Sequence, residues 1–133
     1  LLAVGRFVFG VYYGPSPGAL LLLSLLFAMT VSAIGLSIGM FFESEEKVTG
    51  IGIILAISMS AISGCWWPLE IAPDWMARVA SVLPSGIALA GYHQLISYSR
   101  GFQAVLPHLV KLLAITALFA FVFARRLSKQ DYI

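Results

Sequence analysis

Residues 18–42 read GALLLLSLLFAMTVSAIGLSIGMFF and contain no charged side chain. A membrane span needs about 20 consecutive apolar residues, so this stretch is long enough to cross a lipid bilayer with some tilt. In water its surface would stay largely exposed, because a chain of 133 residues is too small to bury that much apolar area. The stretch therefore predicts a transmembrane helix.

The composition of the rest of the chain agrees with a membrane location. Of all residues 60% are hydrophobic and 11% are charged, whereas soluble domains carry about 25% charge. Residues 48–67 are also uncharged. The only Lys, Arg, Asp or Glu in residues 105–124 is Lys111, which lies close enough to the start of its span for its side chain to reach the lipid headgroups. We predict an all-α polytopic membrane protein with about three full transmembrane helices.

The N-terminal stretch, residues 1–13, is apolar but only about half a span long. It begins with Leu1 and lacks the charged start and cleavage site of a signal peptide. We interpret it as a truncated helix, so that residues 1–133 form one part of a longer membrane domain. A cluster of Gly and Pro at residues 14–18 ends this helix before the first full span.

Residues 68–104 are predicted to form an irregular segment, because Pro68, Pro73 and Pro84 divide it into short pieces. A helix over residues 74–83 would be too short to span a bilayer. Such pieces lie in the interface or enter the membrane as re-entrant elements, where other protein or a water-filled cavity must surround them.

The Lys and Arg near the span ends predict the orientation. Arg125, Arg126 and Lys129 follow the last span directly, and such clusters favour the cytoplasmic side. With a cytoplasmic C-terminus in the plasma membrane, the polar tip at residues 43–47 is also cytoplasmic and residues 68–104 face outward.

Small residues recur along one face of the second predicted span. They are Gly52, Ala56, Ser60 and Gly64. A second small-residue face in the first span consists of Ala28, Ser32, Gly35 and Gly39. Small faces allow two helix backbones to approach closely, and that is one interpretation. The other is that serines of the second span, Ser58, Ser60 or Ser63, line a substrate path.

Residues typical of catalysis or metal binding are sparse. No carboxylate lies in the middle of a span, and His93 and His108 have no local partner. The only cysteine, Cys65, excludes a cysteine-clustered metal site. Phosphate-binding and nucleophile motifs do not occur in the sequence, and a net charge of +2 without a basic patch argues against nucleic acid. We predict no catalytic residue, no metal site and no bound cofactor.

Residues 63–76 read SGCWWPLEIAPDWM and are followed by Pro84. This stretch resembles a signature of the ABC type-2 exporter permeases, in which small residues and a bulky pair precede Pro-Leu-Glu, a second Pro, an acidic residue and Trp. The polar hairpin between two spans and the basic tail resemble the same family. The resemblance covers nearly the whole chain.

The resemblance implies the C-terminal part of one permease domain that works in a pair, as a homodimer or a heterodimer. It implies a partner ABC ATPase subunit that uses ATP, a second span that borders the substrate path, and re-entrant helices that form the outer gate. The candidate path or packing residues are Gly52, Ala56, Ser60, Ser63 and Gly64. The candidate gate residues are Trp66, Trp67, Pro68, Pro73, Trp75 and Pro84.

Two alternatives belong to other functional classes. A membrane assembly or anchoring module would use the small-residue faces for contact and would transport nothing. An intramembrane enzyme would need a catalytic group at mid-depth, and the uncharged runs 18–42 and 48–67 argue against it.

Overall fold

The computed structural model describes the backbone of residues 2–130 and the side chains of residues 4–128, so the side chain of Lys129 lies outside the described part. All regular elements in this part are helical. The long helices are α2 (Pro17–Gly39), α3 (Glu45–Ile62) and α6 (Phe102–Gln130). The shorter elements are α1 (Leu2–Phe9), a 3₁₀ turn (Leu69–Ile71), α4 (Asp74–Ala80), α5 (Pro84–Tyr92) and a π-helical turn (His93–Ser97). The predicted all-α class is confirmed.

Within the described residues 2–130, two helices, α2 and α6, are long and apolar enough to cross a membrane. A third crossing is reached only if α4, together with the continuous α5 and π-helical turn, counts as one span, and this pair is bent by 93°. Helix α3 carries three charged residues in its first turn, residues 45–47. The predicted count of about three full spans is therefore not confirmed.

The predicted span boundaries differ from the helix ends. Helix α2 ends at Gly39 rather than at residue 42, and α6 begins at Phe102 and continues to Gln130. Helix α3 stops at Ile62, so the last five positions of the predicted span 48–67 lie in a turn. The turn begins there because Gly64 adopts φ +83°, which ends the helical path.

Helices α2 and α6 run in the same direction and pack along their length. Thr30 of α2 contacts Leu112 and Thr116 of α6, and Ser37 further along α2 contacts Phe119 further along α6. Helix α5 and the π-helical turn cover one end of this pair. The buried core consists of Ala19, Leu20, Leu23, Ile87, Ala88, Leu95, Val105, Leu109 and Leu112.

The segment after α3 turns sharply twice. Pro68 precedes the 3₁₀ turn and Pro73 precedes α4, each in extended backbone conformation. Helix α4 ends at Ala80, earlier than the predicted residue 83. Gly86 of α5 lies against the carbonyl of Ala80, and a side chain at Gly86 would collide with that backbone. This close approach permits the bend between α4 and α5.

Candidate functional site

Helix α3 is joined to α5 by a pair of serines at its C-terminal end. Ser63 is fully buried, and its hydroxyl lies 2.6 Å from the hydroxyl of Ser85. The Ser85 hydroxyl also donates to the carbonyl of Met59 at 3.2 Å. Ser85 therefore accepts a hydrogen bond from Ser63 while it donates to the backbone of α3. Ser63, a candidate path residue, lies in this junction.

An apolar groove of about 320 Å³ separates α2 from α3. Its α2 side is formed by Phe27, Val31, Ile34, Gly35 and Ile38, its α3 side by Gly52, Leu55, Ala56, Met59 and Ser60, and its end by Pro84 and Ser85. Three of the five candidate path or packing residues thus share this groove with Pro84 from the candidate gate set. We call it the α2–α3 groove.

The small-residue faces do not meet within the described chain. At Gly35, Gly39 and Gly52, no atom lies within 4 Å of the position that an added Cβ would take, apart from chain neighbours and the backbone of the same helix. The two helices are therefore too far apart here for backbone contact. Close contact with another helix remains a prediction for this face.

Gly64 does not continue the small-residue face of α3, so the prediction that it shares a helix face with Gly52, Ala56 and Ser60 is wrong. It lies beyond the end of α3, with φ +83°, and an added Cβ would press against the side chain of Leu69. Gly64 lines a separate cavity of about 110 Å³, together with residues that include Glu70 and His93. A glycine is required here by the backbone conformation, which helical spacing alone does not reveal.

The candidate gate residues divide into an exposed group and a buried one. Trp66 and Trp75 are exposed, and Trp67 is partly so, with its ring edge-on to Trp66 at 6.4 Å between centroids. Pro84, in contrast, is buried at the start of α5. The structure thus leaves the tryptophans at the surface of the described chain and places Pro84 at the α2–α3 groove.

The polar hairpin and the basic end of α6 lie at the same end of the molecule. The guanidinium of Arg126 is 4.0 Å from the centroid of the Phe41 ring, and that of Arg125 is 4.8 Å from the Phe121 ring. Such cation–π contacts hold a charged group beside an aromatic face. The two segments therefore share one side of the membrane, and the assignment of that side to the cytoplasm remains a prediction.

Sequence reasoning missed a row of polar contacts between α2 and its neighbours. The hydroxyl of Ser24 lies 2.9 Å from that of Tyr92, Thr30 lies 2.8 Å from Thr116, and Ser37 donates to the carbonyl of Phe119 at 3.0 Å. The sequence feature that could have predicted these contacts is the spacing of seven residues between Thr30 and Ser37, which puts both side chains on one helix face. Buried polar groups of this kind link helices inside a membrane.

Comparisons with known proteins show a similarity to transporter proteins. Residues 1–125 match the family described as ABC-2 family transporter protein. The chain is also similar to the linearmycin resistance permease protein LnrN of Bacillus subtilis (strain 168), with 33% identity over 97 residues, which is 73% of this chain and 25% of that protein. The chain thus spans about a quarter of the length of that relative. No solved structure matches the chain.

Proposed function

Because the chain belongs to the ABC-2 family of transporter proteins, we propose that it forms part of the membrane domain of an ATP-driven exporter. The main support is the family match over residues 1–125. The fold adds two apolar helices of spanning length and a helix pair bent by 93°. The match to the ABC-2 family favours a transport permease over an enzyme.

The energy for export comes, in this proposal, from a separate ABC ATPase subunit. The sequence has no phosphate-binding loop with the Gly-Lys-Ser/Thr pattern. A second permease copy completes the substrate path, and the whole lies in the plasma membrane with the C-terminus in the cytoplasm. The basic cluster after α6 supports this orientation.

The segment from Trp66 to Pro84 acts as the outer gate in this proposal. Irregular backbone at membrane depth is tolerated only where protein or a cavity surrounds it, and the bent α4–α5 pair has irregular backbone at its break. Helix α3 ends at this segment and is tied to α5 through Ser63 and Ser85. We infer that α3 borders the substrate path and that its end moves with the gate.

The name of the Bacillus relative suggests the first substrate to test. The full-length permease and its ATPase would be expressed in a host sensitive to linearmycin, beside an ATPase variant whose phosphate-loop lysine is replaced by alanine. We expect resistance and linearmycin efflux with the intact ATPase and neither with the variant. Efflux that ignores the ATPase variant would contradict ATP-driven export. A complex that assembles but moves no compound from a broader panel would favour the anchoring module.

A further inference from the structure

The polar attachment of α3 to its neighbours lies at its C-terminal end. Ser63 caps this end, and Ser85 is the second residue of α5. Within the part of the chain whose side chains are described, every side-chain hydrogen bond from α3 or its cap to another helix involves Ser85. Helix α2, in contrast, is bonded to its neighbours at three levels, through Ser24, Thr30 and Ser37. The polar attachment of α3 is therefore concentrated in one junction.

The carbonyl of Met59, in the last turn of α3, completes this junction. It accepts the backbone N–H of Ser63 at 3.0 Å and the hydroxyl of Ser85 at 3.2 Å. The Ser63 hydroxyl lies 2.6 Å from that of Ser85, and it must donate because the Ser85 proton is already used. Removal of the Ser85 hydroxyl would leave the buried Ser63 hydroxyl without its partner on α5, and an unpaired buried hydroxyl is unfavourable.

Segments outside the described chain cannot take over this junction. The Ser63 side chain is fully buried by this chain alone, so another group could replace Ser85 as its partner only by displacing α5. The start of α5 is also fixed, because Pro84 is buried and Gly86 lies against the carbonyl of Ala80. The junction therefore joins the end of α3 to the bent α4–α5 pair, whatever covers the outer faces of these helices.

We propose that Ser85 is a positioning residue of the gate. Its hydroxyl bridges Ser63 and Met59 and keeps the C-terminal end of α3 on the start of α5 throughout the transport cycle. A movement of α3 then reaches the gate through this contact as well as through the chain. Ser85 acts through these two partners and not by contact with a substrate. The inference rests on the proposed function, in which α3 borders the path and residues 66–84 form the gate.

The test compares Ser85→Thr with Ser85→Val in the full-length permease. The two new side chains have nearly the same shape, and only threonine keeps a hydroxyl. Ser85 lines the α2–α3 groove, so the added methyl group has space. Backbone hydrogen exchange of the protein in vesicles, followed by mass spectrometry, measures how firmly the end of α3 is held. The reporters are the amides of Ser63, Gly64 and Cys65, which donate to carbonyls of α3, and amides in the middle of α6 are the internal reference.

We expect the reporter amides to exchange severalfold faster in Ser85→Val than in Ser85→Thr, both at rest and with the ATPase trapped by vanadate. Export per ATP, measured in the same vesicles, should fall severalfold in Ser85→Val and stay near its normal value in Ser85→Thr. Ser63→Ala keeps the bond from Ser85 to Met59, so it should fall between the two variants in both measurements. It also replaces Ser85→Val in the comparison if that variant does not insert.

Equal exchange in Ser85→Val and Ser85→Thr would overturn the proposal, because the hydroxyl would then not hold α3. Faster exchange in Ser85→Val with normal export per ATP would also overturn it and would reduce the junction to a packing contact. A loss of amide protection in the unchanged protein under vanadate would do the same, since the junction would then open during the cycle. Exchange at rest needs neither substrate nor ATP, so a failure of ATP-driven export is recognised separately.

Discussion

The hydroxyls of Thr30 and Thr116 lie 2.8 Å apart and link α2 to α6 where Thr30 is fully buried. Each hydroxyl also has a carbonyl within reach one turn earlier in its own helix, at Leu26 and Leu112 respectively. Because each threonine has a single hydroxyl proton, one of them donates to its own helix and accepts from the other. The interhelical bond is thus one member of a satisfied network.

This arrangement predicts a small cost for removing the bond. Thr116→Val leaves Thr30 able to donate to Leu26, so no buried group loses its last partner. We expect a coupling energy of about 0.6 kcal/mol between Thr30→Val and Thr116→Val, which is typical of interhelical hydrogen bonds in membranes. Unfolding of the full-length protein in detergent, measured as a double-mutant cycle, checks this value. Thr49→Val on the exposed surface of α3 is the control. A coupling energy near zero would show that the hydrogen bond between Thr30 and Thr116 does not stabilise the packing of α2 against α6.

Substitution of Gly14 should lower the stability much more than loss of the hydrogen bond between Thr30 and Thr116. Gly14 has φ +81°, and an added Cβ would collide with the backbone carbonyl of Leu95. Gly14→Ala should therefore lower stability by more than the ~1–2 kcal/mol that a left-handed conformation costs. Gly10→Ala separates the two causes, because Gly10 has φ +62° and open space around its Cβ position. If both variants unfold at the same denaturant concentration, contact with Leu95 does not hold this segment in place.

Gly64 and Gly52 should respond in opposite ways to alanine, although both belong to one sequence pattern. Gly64→Ala should cost about 1–2 kcal/mol, because its φ is +83° and its Cβ would press on Leu69. Gly52→Ala should gain about 0.5–1 kcal/mol, since Gly52 lies within α3 in open space. Thermal unfolding of both variants in the full-length protein measures the difference. A loss at Gly52 equal to that at Gly64 would instead indicate a close helix contact at that face.

The sequence predicted the helices whose position is determined by uncharged runs and by prolines. The run 18–42 predicted α2 nearly in full, and the short helix expected after Pro73 begins at Asp74 as α4. These features are local, because span length and proline geometry depend on few neighbours.

The remaining features depend on contacts that a local pattern does not contain. Thr30 and Thr116 are 86 positions apart in the chain, so their pairing depends on how α2 and α6 pack. Residues 63–67 are as free of charged side chains as residues 48–62, and α3 ends there through the conformation of Gly64. Spacing predicted correctly that Gly52, Ala56 and Ser60 share a face. The distance between α2 and α3 decides what that face contacts.

The orientation predicts a labelling pattern in intact cells. With Cys65→Ser as background, single cysteines replace Ser44, Asp74, Arg100 or Ser128. We expect an impermeant maleimide to label the positions of Asp74 and Arg100 and to leave the other two unlabelled, because the basic cluster favours a cytoplasmic end.

Two positions provide the internal control for this experiment. Ser44 and Ser128 must respond alike, because the Arg126 guanidinium lies over the ring of Phe41 and holds the hairpin beside the end of α6. Labelling at the position of Ser44 without labelling at that of Arg100 would indicate the opposite orientation in the membrane. Labelling at only one of Ser44 and Ser128 would contradict the parallel arrangement of α2 and α6.

The two prolines after α3 provide a test of the gate. Pro68 has φ −61° directly before the 3₁₀ turn, and Pro73 has φ −60° directly before α4. Both angles are those that the proline ring imposes, so each ring stiffens a bend without strain. Replacing such a proline costs about 0.4–1 kcal/mol, mainly through the freedom gained by the unfolded chain. Insertion into the membrane should therefore survive.

Export should suffer more than stability does in the double variant Pro68→Ala/Pro73→Ala. Flexible bends at Pro68 and Pro73 would let α4 move independently of α3, so ATP hydrolysis would continue while export falls severalfold. Vesicles that contain the full-length permease and its ATPase allow both rates to be measured. Pro107→Ala is the matched control, because Pro107 is exposed within α6 and lies outside the bent segment. Normal export per ATP in the double variant, at normal protein levels, would show that the rigidity of residues 68–73 has no part in gating.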